Sequence, residues 1–146
     1  MPKTMKSINT IHRCQTIFRS ERLGGEICGA HHLFVFSICN NPGSSQEELA
    51  KKLYLNKSTV ARALASLENS GYVRREVNPS DKRQTLVYPT EKMIALLPKA
   101  RAIAKDWNTL ISEGISESEL AAFQFVLAKM EENARAVIAG MEDSLK

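Results

Sequence analysis

No stretch of this sequence is apolar for the roughly 18 to 20 residues that span a bilayer, so a membrane protein is not expected. The N-terminal MPKTMKSINTIHRCQ is basic but has neither a continuous apolar core nor a small-residue cleavage site. It is unlike a secretory signal, and the expected compartment is the cytosol. Cysteine is scarce: Cys14, Cys28 and Cys39 have no CxxC or CxxH spacing, which argues against a disulfide framework or a structural zinc site. The three read first as reduced thiols, and no metal or cofactor is expected. HExxH, GxSxG, a P-loop and GxGxxG are all missing, and no carboxylate pair or Cys/His spacing has a mechanism attached. No enzyme is expected. There is also no internal repeat, low-complexity tract or block of like charge. The 146 residues suffice for one domain with its own core, or for a domain plus helices that need a partner, and not for a large multidomain enzyme.

What is present is concentrated in the middle. Residues 51 to 83 carry eight Lys/Arg against three Asp/Glu, while the segments on either side are close to neutral. Such a distribution suits a segment that faces a polyanion, although an ordinary solvated surface would also accommodate it. In Ser45-Gln46-Glu47-Glu48 the serine and Glu48 can form an S-x-x-E capping box, so a helix is expected from Gln46. Its apolar face is Leu49, Ala50 and Leu53, and Tyr54-Leu55-Asn56 interrupts it. Asn56 is a good N-cap for a second helix, with Val60, Leu64 and Leu67 inside and Gly71 as its left-handed close. Two short helices so joined have the layout of a helix-turn-helix. Strand-like Tyr72 to Val77 and Thr85 to Tyr88 follow, with Asn78-Pro79-Ser80-Asp81 as turn formers, and a hairpin directly after a helix-turn-helix makes a winged helix. The outer face of the second helix shows Lys57, Ser58, Thr59, Arg62 and Ser66. Lys57 falls at N1, where the helix macrodipole disfavours a cation by a few tenths of a kcal/mol; a phosphate docked on the free amides there would reverse that cost.

The flanks read as helix. Ile8, Ile11, Cys14 or Gln15, and Phe18 give helical spacing over residues 7 to 23, and a second helix is expected over Glu26 to Cys39, where VFSIC taken alone could be a strand. Ile94, Leu97, Ala100, Ala104, Trp107 and Ile111 make a third stripe with Pro98 as a kink. Leu120, Phe123, Leu127, Met130, Ala134 and Val137 make a fourth, after a cap at Ser116. These faces exceed what a domain of about 90 residues can cover, and exposed stripes of that size usually mark an interface. The expected fold class is mainly α with a small β-hairpin wing, a winged helix-turn-helix lobe plus a helical dimerisation region.

Over nearly its whole length the chain resembles the multiple antibiotic resistance regulator (MarR) family. The residues that carry the resemblance are NPGSSQEELAKKLYLNKSTVARALASLENSGYVRREVNPSDKRQTLVYPTEK, ALLPKA and the ISESEL helix. The most specific piece is Asp81-Lys82-Arg83 after a winged-helix pattern. The resemblance implies a single domain over 1–146, with the DNA-binding lobe at 27–92 and helical dimerisation regions at 1–26 and 93–146. It implies a homodimeric transcriptional regulator, a repressor, on a pseudo-palindromic double-stranded operator. Arg83 would be the minor-groove arginine of the wing tip, with Lys82 beside it, and Asp81 would brace the wing through an arginine of its own lobe. Lys57, Ser58, Thr59 and Arg62 would belong to the recognition helix. Arg62 suits either a guanine O6/N7 pair or a phosphate, Ser58 and Thr59 suit phosphate, and Lys51 and Lys52 either reach the backbone or are simply solvated. Tyr54 stands where the family's turn often has glycine, and Pro89-Thr90-Glu91-Lys92-Met93 lacks the leucine and glycine of the familiar strand exit.

The signal stays open at this level. Cys28, His31, His32 and Glu26 could be a metal set, against which adjacent histidines point to different sides of a helix. Cys14 could sense peroxide, but the tyrosines of that branch are absent and packing is preferred. The third option is a small aromatic or anionic ligand, with His12, Arg13 and Trp107 as loose candidates. A winged-helix module used for protein contact is the alternative class.

Overall fold

Two capping side chains set the centre of the molecule, whose computed structural model describes residues 2–144. The Glu48 amide donates to Ser45 Oγ at 3.1 Å and the Ser45 amide to Glu48 Oε2 at 2.8 Å. This reciprocal box satisfies two otherwise orphan donors and starts α3 (Gln46–Leu53). Asn56 Oδ1 accepts from the Thr59 amide at 2.9 Å and starts α4 (Lys57–Asn69). Tyr54 closes α3 in the left-handed conformation, φ 53°, and the Leu55 amide reaches back to Ala50 O at 3.0 Å. A side chain in that conformation costs on the order of 1 to 2 kcal/mol, yet the turn keeps the form that its missing glycine left uncertain. At the far end of α4, Gly71 (φ 79°) lets the Tyr72 amide donate to Leu67 O at 2.8 Å and its own amide to Glu68 O at 3.0 Å, the paired bonds of a Schellman close. Val60, Leu64 and Leu67 lie in the core at 0–1% exposure.

The wing is β2 (Val73–Val77) and β3 (Thr85–Pro89), paired antiparallel from Val73 opposite Pro89 to Val77 opposite Thr85. A third strand, β1 (Ser44–Ser45), pairs with the other edge of β3, so the sheet order is β1-β3-β2. The expected hairpin is therefore part of a three-stranded sheet. Two serines carry no strand pattern, and only the pairing reveals them.

The N-terminal third differs most from expectation. Helix α1 (Pro2–Leu23) begins ahead of residue 7, and the single helix expected over Glu26 to Cys39 does not form. A 3-10 turn at Gly29–His31 precedes α2 (His32–Asn40) instead. Gly29 explains the break: a Cβ there would lie 2.4 Å from Ser20 Oγ and 2.5 Å from Thr16 O, and its amide donates to Ser20 Oγ at 3.2 Å. The backbone crosses α1 too closely for a side chain. Cys28, just before it, is extended, whereas VFSIC is helical and not a strand.

Thr90 settles the entry into α5 (Glu91–Ile111). Its hydroxyl donates to Gly71 O at 2.7 Å, and its carbonyl accepts from the Ile94 amide at 3.0 Å. Helix α5 continues through Pro98. Its buried face is Met93, Leu96, Ala100 and Ile103, which corrects the expected stripe: Ile94 and Ile111 are 53% and 44% exposed. The helix is apolar on two adjacent faces, and periodicity alone does not say which one meets the core.

The chain through Trp107 forms one compact unit and the chain from Asn108 a second. In the second, α6 (Glu117–Ser144) opens on another capping box, Ser116 with Glu119. No described residue of α6 is buried, and Phe123, Val126, Leu127, Val137 and Met141 are exposed. Among the described residues no helix is long and apolar enough to cross a membrane.

Candidate nucleic-acid interface

On α4 the structure leaves Lys57, Ser58 and Arg62 exposed and Thr59 half-buried. Lys57 Nζ lies 2.9 Å from Glu47 Oε1 of α3, both side chains in solvent. The cation at N1 thus has a carboxylate partner ten residues back that the sequence reading did not identify. Ser58 Oγ donates to Asn56 Oδ1 at 3.2 Å, and the same oxygen takes the Thr59 amide. The expected phosphate seat on free amides is to that extent occupied by the helix's own cap. Arg62 has no ion pair among the described residues.

The wing tip is built from side-chain bonds to its own backbone. Asn78 bonds Gln84 through main chain (2.9 Å) and side chain (3.0 Å), and the Ser80 amide donates to Asn78 Oδ1 at 3.0 Å. Asp81 Oδ1 accepts both the Arg83 amide at 3.1 Å and Arg83 Nε at 3.3 Å. One carboxylate oxygen therefore fixes the turn and the root of the guanidinium. Arg83 is still 92% exposed, and Lys82 is exposed beside it.

The root of the wing holds two arginines that the charge count had pooled with the DNA-facing cations. The Arg75 amide and guanidinium bond the two oxygens of Glu68 at 3.1 and 3.0 Å, and Nη1 bonds Gln46 Oε1 at 3.2 Å. Arg75 ties β2 to both α3 and α4, and its hydrogen bonds hold the Glu68 carboxyl below the usual range. Arg74 lies over the Tyr88 ring at 4.4 Å and pairs with Glu76. A cleft of about 170 Å³ lies between wing and helices, lined by Ser45, Gln46, Glu47, Lys57, Arg83 and Gln84 among others. It brings the first cation of α4 and the arginine of the wing tip to one opening.

Residues 29–84 match the sequence model of the MarR family. An uncharacterized HTH-type transcriptional regulator of Bacillus subtilis, YybA, is 25% identical over 108 residues, covering 74% of this chain and 72% of the relative. Among solved structures, a MarR transcriptional regulator from Methanosarcina mazei Go1 shares the fold at a TM-score of 0.88 and 26% identity, over 94% of this chain and 99% of that one. The chain is thus similar to MarR-family regulators, in sequence over residues 29–84 and in fold over nearly its whole length. A MarR family regulator from Listeria monocytogenes, solved with 26mer DNA, has a TM-score of 0.79 at 28% identity, covering 88% and 87%. These relatives are named as transcriptional regulators, and the last was solved on DNA.

The chain has a second, larger cleft of about 410 Å³ between α1, α2 and α4, lined among others by His12, Arg19, His31, Phe34, Thr59 and Arg62. Arg19 is only 8% exposed, and among the described residues its Nε has no hydrogen-bond partner; burial lowers its pKa. Nothing in the α1 spacing marked Arg19 as buried. Of the loose ligand candidates only His12 lines this cleft; Arg13 is exposed, and Trp107 packs on Phe18 with ring centres 5.3 Å apart. His32 is buried, with Nε2 3.4 Å from Ala100 O, and burial together with the Arg19 charge pushes its pKa down. Among the described residues no three of His, Cys, Asp and Glu gather as a metal-holding group. Cys14, expected to pack, is exposed, because the buried residues of α1 are Arg19 and Leu23.

Proposed function

We propose that this regulator is a cytoplasmic repressor that binds a pseudo-palindromic operator as a homodimer and is released by a small anionic ligand. The observation that carries the DNA part is the shared opening of Lys57 and Arg83, which presents recognition helix and wing to one polyanion. Arg62 reads guanine or holds phosphate from the exposed side of α4, and Ser58 and Thr59 contact phosphate. Lys82 adds charge at the tip, and Arg83 enters the minor groove, where a slender cation meets concentrated negative potential. Asp81 orients it. The exposed apolar faces of α1 and α6 take a second copy of the chain, since patches of this kind rarely stay in water.

A footprint on the intergenic DNA next to the protein's own gene tests this. Two protected half-sites related by a twofold axis, centres about 10 base pairs apart, are expected. A single unsymmetric site, or none, would exclude the dimeric repressor.

The larger cleft supports release by a ligand. Its apolar wall, including Leu33, Phe34 and Leu55, suits an aryl body, while Arg19, buried with an unsatisfied Nε, favours a carboxylate. A ligand held there also occupies Arg62, which DNA requires. Benzoate, used as a simple aryl carboxylate, is expected to lower the DNA affinity of the wild type and to leave that of Arg19→Gln unchanged. Equal inhibition of both in a mobility-shift titration would rule the cleft out.

A further inference from the structure

We infer that Glu47 is a built-in brake on DNA binding, a carboxylate that competes with DNA phosphate for Lys57. The inference rests on the DNA face proposed above. Among the described residues Glu47 is the one carboxylate lining the cleft shared by Lys57 and Arg83, and its side chain bonds Lys57 alone. Both partners are largely exposed, 63% and 79%, so solvent screens the pair and a phosphate can exchange into it. The start of α3 does not depend on Glu47, because Ser45 and Glu48 close its capping box. Asp81 differs in this respect. Its oxygen also holds the Arg83 backbone amide, so its pairing is part of the wing's own turn.

A phosphate entering this cleft takes Lys57 from Glu47 and leaves a bare carboxylate beside the DNA. That carboxylate repels the phosphate and draws in a cation, which offsets part of the counterion release that drives association. Glu47 therefore weakens binding at low salt and flattens its salt dependence, without touching a base. It is an affinity-setting residue acting through Lys57, and a sequence reading could not find it because the partners sit on different helices.

The test is a titration of a mixed-sequence duplex of about 30 base pairs with the full chain, from 50 to 200 mM salt. Glu47→Gln is expected to bind about ten-fold tighter at 50 mM, with the slope of log affinity against log salt steeper by about 2 per dimer. Glu47→Asp keeps the charge and is expected to keep the wild-type slope. Lys57→Gln is expected to weaken binding and flatten the slope by a similar amount. Should Lys57→Gln weaken binding while Glu47→Gln binds no tighter than wild type, the brake is wrong and the DNA face stands. Should Glu47→Asp also steepen the slope, charge is not the cause and the brake is wrong. If Lys57→Gln changes nothing, the DNA face itself is misplaced and the brake falls with it.

Discussion

Arg83→Ala is expected to weaken binding to the proposed operator by about 1 to 3 kcal/mol, roughly five- to 150-fold, with no change in the protein's mass in solution. The side chain is 92% exposed, so removing it opens no cavity, and the turn keeps the Arg83 amide bond to Asp81 and the Asn78–Gln84 pair. What is lost is a cation at the tip and the long reach that fits a narrow groove. Asp81 is left without its guanidinium partner, which adds a repulsive contribution to the measured loss. Binding curves at several salt concentrations, with sedimentation for mass, check this. Unchanged affinity, or a monomer, would take Arg83 out of the interface.

Charging the exposed face of α6 is expected to have the larger effect. In Leu127→Glu combined with Val137→Glu, closing the proposed dimer on this face would bury two carboxylates from each protomer without partners, at several kcal/mol for each ion. Monomers should result. A single lobe then loses the gain from simultaneous engagement of two half-sites, about two to four orders of magnitude in affinity. The chain's own fold should survive, because no described residue of α6 is buried. Sedimentation velocity and circular dichroism separate the outcomes: a well-folded dimer carrying both substitutions would place the interface elsewhere.

Features fixed by a few neighbouring residues were legible in the sequence. The Ser45–Glu48 box, the Asn56 cap and the Gly71 close each depend on side chains and amides at most five positions apart, and all three stand where spacing put them. Features fixed by distant partners were not. The break at Gly29 depends on Ser20 and Thr16 of another helix, the inner face of α5 depends on what packs against it, and β1 exists only as a partner of β3. The candidate site divides in the same way. The outward positions of Lys57, Ser58, Arg62 and Arg83 followed from helix and hairpin geometry, whereas Glu47 beside Lys57, the commitment of Arg75 to Glu68 and the burial of Arg19 depend on tertiary contact.

The Arg75 junction has a mechanical meaning. A side chain bonded at once to Glu68 at the end of α4 and Gln46 at the start of α3 stiffens the hinge on which a protruding hairpin would otherwise swing. Helix and wing then travel as one reading head with a fixed angle between its two probes. In the proposed repressor dimer, relief would then need only whole heads to shift out of step with the helical repeat of DNA, with no part of a head coming apart.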